Sequence, residues 1–269
     1  MQRLRIRYAK RGRLRFTSHR DIQRAFERAL RRAGVPMAFS AGFSPHPKIS
    51  WAGAAPTGTA SEAEYLEIGV TSRLDPDALR AALDEALPPD LDILEIVEAA
   101  APGSLMDRLE ASVWRIELPG VSPEAARMAV EKFLAAESVQ VERLTKNGMR
   151  SFDARSAVLE LTCLESSSNL KSSPCAILRV VVRHSTPAVR PDDVLTGLAT
   201  VAGLELPQAS DTEQSGGSRP GLGSARVTRL SQGLLGPQGP AEHGPLGPTE
   251  HGAAPAVLDP LTPDRNASV

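Results

Sequence analysis

Two histidines in the first 50 residues, His19 and His46, have neighbours suited to acid–base chemistry. His19 follows Ser18 in FTSHRDIQ, and His46 is fenced by Pro45 and Pro47 in SAGFSPHPKIS, with Ser40 and Ser44 close by. One imidazole as base and one as acid can cleave an RNA phosphodiester without a metal. The plainer alternative is that His19 serves a helix cap and His46 a stiff turn. Arginines form the second constellation. Arg24, Arg28 and Arg31 fall at i, i+4 and i+7, so on a helix their guanidiniums stack along one face, with Arg20 at its entrance. Like charges at that spacing repel mildly, and a phosphate among them relieves the repulsion, because its oxygens match the arginine fork. Arg3, Arg5, Arg7, Arg13, Arg15, Arg32 and Lys48 widen this basic field. The alternative is a solvated face paired with acids such as Glu62, Glu64 or Glu67.

The net charge of −1 hides a strong polarity. Residues 1–50 hold 13 Lys or Arg against Asp21 and Glu27, which leaves 18 basic and 30 acidic residues beyond them. The two segments therefore stand near +11 and −12, an arrangement suited to a polyanion such as RNA or to an acidic partner. No apolar run nears the roughly 20 residues that span a bilayer, and the basic amino terminus lacks the apolar block of a secretory signal. A cytoplasmic protein is the expectation. Cys163 and Cys175 are the only cysteines, twelve apart in expected strands. With no cluster motif and no phosphate-binding glycine loop, neither metal nor cofactor is expected.

Leu4, Ile6 and Tyr8 alternate with Arg3, Arg5 and Arg7, the pattern of a half-buried strand with its arginines outward. Leu14 and Phe16 extend that alternation. Ser18 and Asp21 form a capping pair for a helix with Ile22, Ala25, Phe26, Ala29, Leu30 and Ala33 inward, stopped by Gly34 and Pro36. Strands follow at Met37–Ser40, Ile49–Ala52, Tyr65–Val70 and Leu91–Val97, with a helix over Asp75–Leu87. This order is β-α-β-β-α-β, the ferredoxin-like arrangement.

The order then recurs. Strands are expected at Val113–Leu118, Val139–Leu144, Val158–Cys163 and Ala176–Arg183, with helices at Pro123–Ala136 and Pro191–Leu204. The strands before and after Asn147-Gly148 are taken to join there. The fold class is thus α+β: two ferredoxin-like units, 1–100 and 101–206, the second with one strand too many and closed by a strand at 225–230. From Pro207 onward there are nine Pro, ten Gly and no Phe, Trp or Tyr, so 207–269 is expected to be mostly a disordered tail. His243 and His251 fall within it.

The succession RLRFTSHRDIQRAFERALRRAG, SAGFSPHPKIS and APTGTASEAEYLEI resembles the radical SAM-linked protein family. The matching positions are Ser18, His19, Asp21, Arg24, Arg28, Arg32, Ser40, Gly42, Phe43, Pro45, His46, Pro47, Ser50, Gly58, Ser61 and Glu64. Asp153 and Arg155 of FDAR are similar to a later family element. Arg20 and Ser44 stand where that family has Leu and Asn. The resemblance implies a bacterial domain fused to, or encoded beside, B12-binding radical SAM proteins, or beside a ribonuclease of the E/G type. Three functions follow as expectations. The first is an RNA-binding accessory module presenting tRNA or rRNA to such a partner. The second is an RNA-processing or RNA-modifying enzyme using His19 and His46, and the third is a protein-docking domain without nucleic acid.

Overall fold

The computed structural model describes residues 1–145, 148–164, 174–206, 225–236 and 255–267. The chain is α+β and forms two compact units. The first comprises Met1–Leu109, Ser231–Leu234 and Leu258–Val269; the second comprises Glu110–Leu230 and Leu235–Val257.

In the first unit, β1 (Gln2–Lys10) leads through a 3-10 turn (Gly12–Phe16) to α1 (His19–Arg32), β2 (Ile49–Ala52), β3 (Ala60–Val70), α2 (Pro76–Ala86) and β4 (Ile93–Glu98). β1 pairs antiparallel with β3 and with β4, and β2 pairs antiparallel with β3. The strand order is therefore β4-β1-β3-β2. Leu4, Ile6 and Tyr8 of β1 pack with Ile22, Phe26 and Leu30 of α1 and with Leu66 and Ile68 of β3. Ser18 caps α1 as expected: its Oγ accepts from Asp21 N at 3.2 Å and donates to Asp21 Oδ2 at 2.7 Å.

Two local expectations change here. Leu14 and Phe16 do not prolong β1. Gly12 takes φ +49, a left-handed conformation open to glycine, and the chain coils into the 3-10 turn instead. Met37–Ser40 contributes only isolated bridges, Met37 to Val70 and Phe39 to Pro47.

The second unit runs β5 (Ala111–Pro119), α3 (Pro123–Ala135), β6 (Gln140–Thr145), β7 (Gly148–Asp153), β8 (Val158–Leu164), β9 (Cys175–Arg183), α4 (Pro191–Ala202) and β10 (Arg226–Leu235), whose residues 226–230 belong to it. Its sheet has the order β10-β5-β9-β8. β6 pairs antiparallel with β7, not with Val158–Cys163, which pairs with β9. Lys146 and Asn147 themselves lie outside the described residues. Phe133, Leu178, Val180, Leu195 and Leu198 are fully buried in this unit's core.

The stretch expected as a tail supplies structure to both units. Arg226–Leu235 is a ten-residue strand, while β11 (Val257–Leu258) and α5 (Thr262–Ala267) follow further on. Leu261 and Asp264 are fully buried in the first unit. Arg226–Leu235 takes in the strand expected at 225–230, whereas composition did not reveal Val257–Leu258 and Thr262–Ala267, which order against an existing sheet and need no core of their own. His243 and His251, with 207–224 and 237–254 generally, lie outside the described residues.

Candidate nucleic-acid interface

The apolar stripe of α1 fixes where its arginines point. With Ile22, Phe26, Ala29 and Leu30 buried, Arg20, Arg24, Arg28, Arg31 and Arg32 are left exposed on the outer face. Arg24 makes a long contact to Asp21, 3.4 Å, and Arg32 donates to the carbonyl of Ala86 at 3.2 Å. The side chains of Arg13, Arg20, Arg28 and Arg31 make no hydrogen bond or ion pair among the described residues. Arg15 lies over the ring of Phe16, 4.6 Å from its centre.

The strand arginines have a different fate. Arg3 meets Glu67 at 3.4 Å. Arg5 is fully buried: its Nε donates to Glu67 at 2.9 Å, its Nη1 to both oxygens of Asp264 at 2.8 and 2.6 Å, and its Nη2 to the carbonyl of Gly103 at 2.7 Å. Arg108 donates to the same carboxylate at 2.7 Å, and so does the backbone N–H of Ala101 at 2.9 Å. Arg7 donates to the carbonyl of Glu62 at 3.0 Å and approaches Asp259 at 3.7 Å. Arg5 therefore drops out of the anion-binding set, and Arg7 is committed within the unit. Their partners Asp259 and Asp264 lie in the stretch that composition assigned to a tail.

His19 is half-buried at the start of α1. Its ring stands edge-on to Trp51, centres 5.3 Å apart, and its Nε2 is 3.1 Å from Nε2 of Gln23. Burial pushes its pKa down, the carboxylate of Glu64 pulls it up, and the Lys10 ammonium pushes it down. Glu64 is buried opposite Tyr8 and accepts from the N–H of Ala55 at 3.1 Å. Ser61 is buried and accepts from Ala63 N, while Gly58 N donates to the carbonyl of Arg15 at 2.7 Å. The third motif block thus lies beneath the 3-10 turn and the His19 end of α1.

His46 lies elsewhere. With Arg3, Ser40, Lys48, Ser50 and Glu67 it lines a hollow of about 220 Å³. Trp51, which carries His19, faces the helices with Tyr8 and Phe26, whereas its neighbour Ser50, paired with Glu67, faces the other side of the sheet. The two histidines occupy opposite faces, so the proposed acid–base pair is not assembled. Ser40, Gly42, Phe43, Pro45 and Pro47 form the arm that carries His46.

Asp153 and Arg155 do not pair with each other. Asp153 accepts from the backbone N–H groups of Val139 and Arg155 at 2.8 and 2.9 Å, and Arg155 donates to the carbonyl of Val158 at 3.0 Å. Burial works against the charge of Asp153, but these backbone donors hold its pKa below the usual range. Sequence reasoning missed Lys10, Asp264 and Arg108, whose burial depends on distant segments. Among the described residues, no three His, Cys, Asp or Glu gather in a metal-binding group, and no helix is long and apolar enough to cross a membrane.

No curated protein matches the chain. Among solved structures it is similar to that titled "Crystal Structure of an Unknown Protein from Galdieria sulphuraria", at 15 % identity and a TM-score of 0.23, over 74 % of this chain and 91 % of that one. A family model described as "Uncharacterized protein conserved in bacteria (DUF2344)" matches residues 3–191, which take in all of β1 to β9 apart from Gln2, and the chain belongs to that family.

Proposed function

We propose that this chain is a cytoplasmic, radical SAM-associated accessory protein that binds RNA, tRNA or rRNA, on the outer face of α1 and presents it to a partner enzyme. The observation that carries this reading is the row Arg20, Arg24, Arg28 and Arg31, exposed and with a single 3.4 Å contact to an acid along its length. Surface arginines kept apart from carboxylates present a field that no acid offsets to an incoming phosphate. The strand orders β4-β1-β3-β2 and β10-β5-β9-β8 support a tandem ferredoxin-like architecture, with the β6–β7 hairpin as an insertion in the second unit. The motif resemblance supports a radical SAM protein, or a ribonuclease of the E/G type, as the partner. The separation of His19 from His46 favours binding over cleavage.

The test is fluorescence anisotropy with bulk tRNA across a salt series. Log affinity falls linearly with log salt, and changing all four arginines to Gln lowers the slope by about 3 to 4. Absence of binding at low ionic strength, or an unchanged slope in the variant, overturns the reading. Retrieval of a radical SAM protein or an E/G-type ribonuclease with the tagged chain from its host tests the partner.

A further inference from the structure

Residues 38–48 form a narrow arm laid on the end of β3. Ala38 N donates to the carbonyl of Gly69 at 2.8 Å, Gly69 N to that of Lys48 at 2.9 Å, and Lys48 N to that of Ala38 at 2.8 Å. Further out, Ser40 N donates to the carbonyl of His46 at 2.8 Å, and His46 N to Ser40 Oγ at 3.0 Å. The arm can lie this close because Gly69 has no side chain: a Cβ there would sit 3.3 Å from Cβ of Lys48. The arm is thus a built element with a fixed seat.

Its tip and its foot carry different chemistry. At the tip, Phe43 is wholly exposed, at 106 % of its reference area, and Phe39 is 54 % exposed. A phenylalanine held in water by a braced arm adds no burial to the fold, so its use lies in what it meets. At the foot is the hollow lined by Arg3, Ser40, His46, Lys48, Ser50 and Glu67. The carboxylate of Glu67 is already engaged by Arg3 at 3.4 Å and by Arg5 at 2.9 Å. Lys48 reaches only Met1 Sδ, at 3.7 Å, and no carboxylate among the described residues. The hollow therefore offers a free ammonium beside two hydroxyls.

We propose that this arm is a contact for single-stranded RNA, in which Phe43 stacks on a base and the hollow receives a backbone phosphate through Lys48, Ser40 and Ser50. The proposal rests on the RNA-binding reading and narrows it to single strands. An aromatic face beside a cationic groove is the general means of holding unpaired nucleic acid, because every base offers a π-face. Phe43 is three residues from His46, so tip and foot are at most about 10 Å of chain apart. The hollow lies on the face of the sheet away from α1. A flexible strand can follow the surface round the β2 edge from one site to the other, whereas a stiff duplex cannot.

The test uses the full chain with a labelled oligouridine of about 12 nucleotides and an RNA duplex of about 12 base pairs, across a salt series that starts at low ionic strength. Phe43→Ala weakens binding of the single strand about 5- to 100-fold and leaves the duplex unaffected. Phe43→Trp restores affinity, and the added tryptophan emission is quenched by the single strand. Lys48→Gln lowers the salt slope for the single strand by about 0.7. If Phe43→Ala leaves single-strand affinity unchanged while the α1 variant still weakens RNA binding, this inference falls and the α1 reading stands. If the unaltered chain binds neither RNA, both fall. If Phe43→Ala abolishes capture of a protein partner with RNA affinity intact, the arm is a protein dock and the inference is overturned.

Discussion

Strand β1 and helix α1 carry the same residue in abundance, yet the fold treats its arginines in opposite ways. On β1, Arg5 is sealed between Glu67 and Asp264, while Arg3 and Arg7 each face an acid. On α1, Arg20, Arg28 and Arg31 face solvent with no partner among the described residues. Local sequence does not separate the two groups, since both are outward positions of amphipathic elements. What separates them is a second layer: the outer face of β1 is covered by residues 259–265, and the outer face of α1 is not. An outward arginine is available to a ligand only where the chain brings no acid to it.

The largest test of that contrast is Asp264→Asn. It strips the negative charge from between two buried guanidiniums and should cost about 3–5 kcal/mol in urea unfolding. Arg28→Gln, by contrast, should change stability by less than about 0.5 kcal/mol, and equal costs at the two sites would erase the distinction. Next in size is Gly233→Ala. A Cβ there would stand 1.8 Å from the carbonyl oxygen of Leu258, so the covering segment must shift, at a cost of about 1–3 kcal/mol. Hydrogen exchange of the Arg265 amide should quicken with it.

A smaller effect separates the capped end of α1 from its arginine row: Ser18→Ala should destabilise by about 1 kcal/mol while RNA affinity holds in the folded protein. The smallest is a pH dependence. Burial holds the pKa of His19 below its ordinary value of 6.5, so the unfolded chain takes up the proton first. Stability from this group is complete above about pH 6.5 and is lost as pH falls through the lowered folded value. Urea midpoints at pH 7.5 and 5 should converge in His19→Gln relative to the unaltered chain; an unchanged gap would remove His19 as the cause.

Much of the first unit was legible because its signals are local. Ser18 with Asp21 marked the start of α1, and Leu4, Ile6 and Tyr8 marked the inward face of β1. The fate of Arg5 was not legible, because its partner is 259 residues away in a stretch whose glycines and prolines suggest no order. Periodicity reports one element's faces and says nothing of a segment that arrives from a distance. The partner of β6 was missed for another reason: β7, residues 148–153, has four successive exposed residues, Gly148 to Ser151, ahead of buried Phe152, so it lacks the alternation that reveals a strand. The site was legible as a list of residue types, but the division of His19 and His46 between two faces depends on the register of β2 on β3.

The clamp on Arg5 has a consequence for synthesis on the ribosome. Arg5 is synthesised 259 residues ahead of Asp264, which at ordinary elongation rates is roughly 10–50 s. Throughout that interval Arg5 and Arg108 lack the carboxylate they share when folding is complete. The nascent chain therefore displays a stronger positive field than the finished protein, beside the largest concentration of RNA in the cell. Arrival of Asp264 both closes the clamp and quiets that charge.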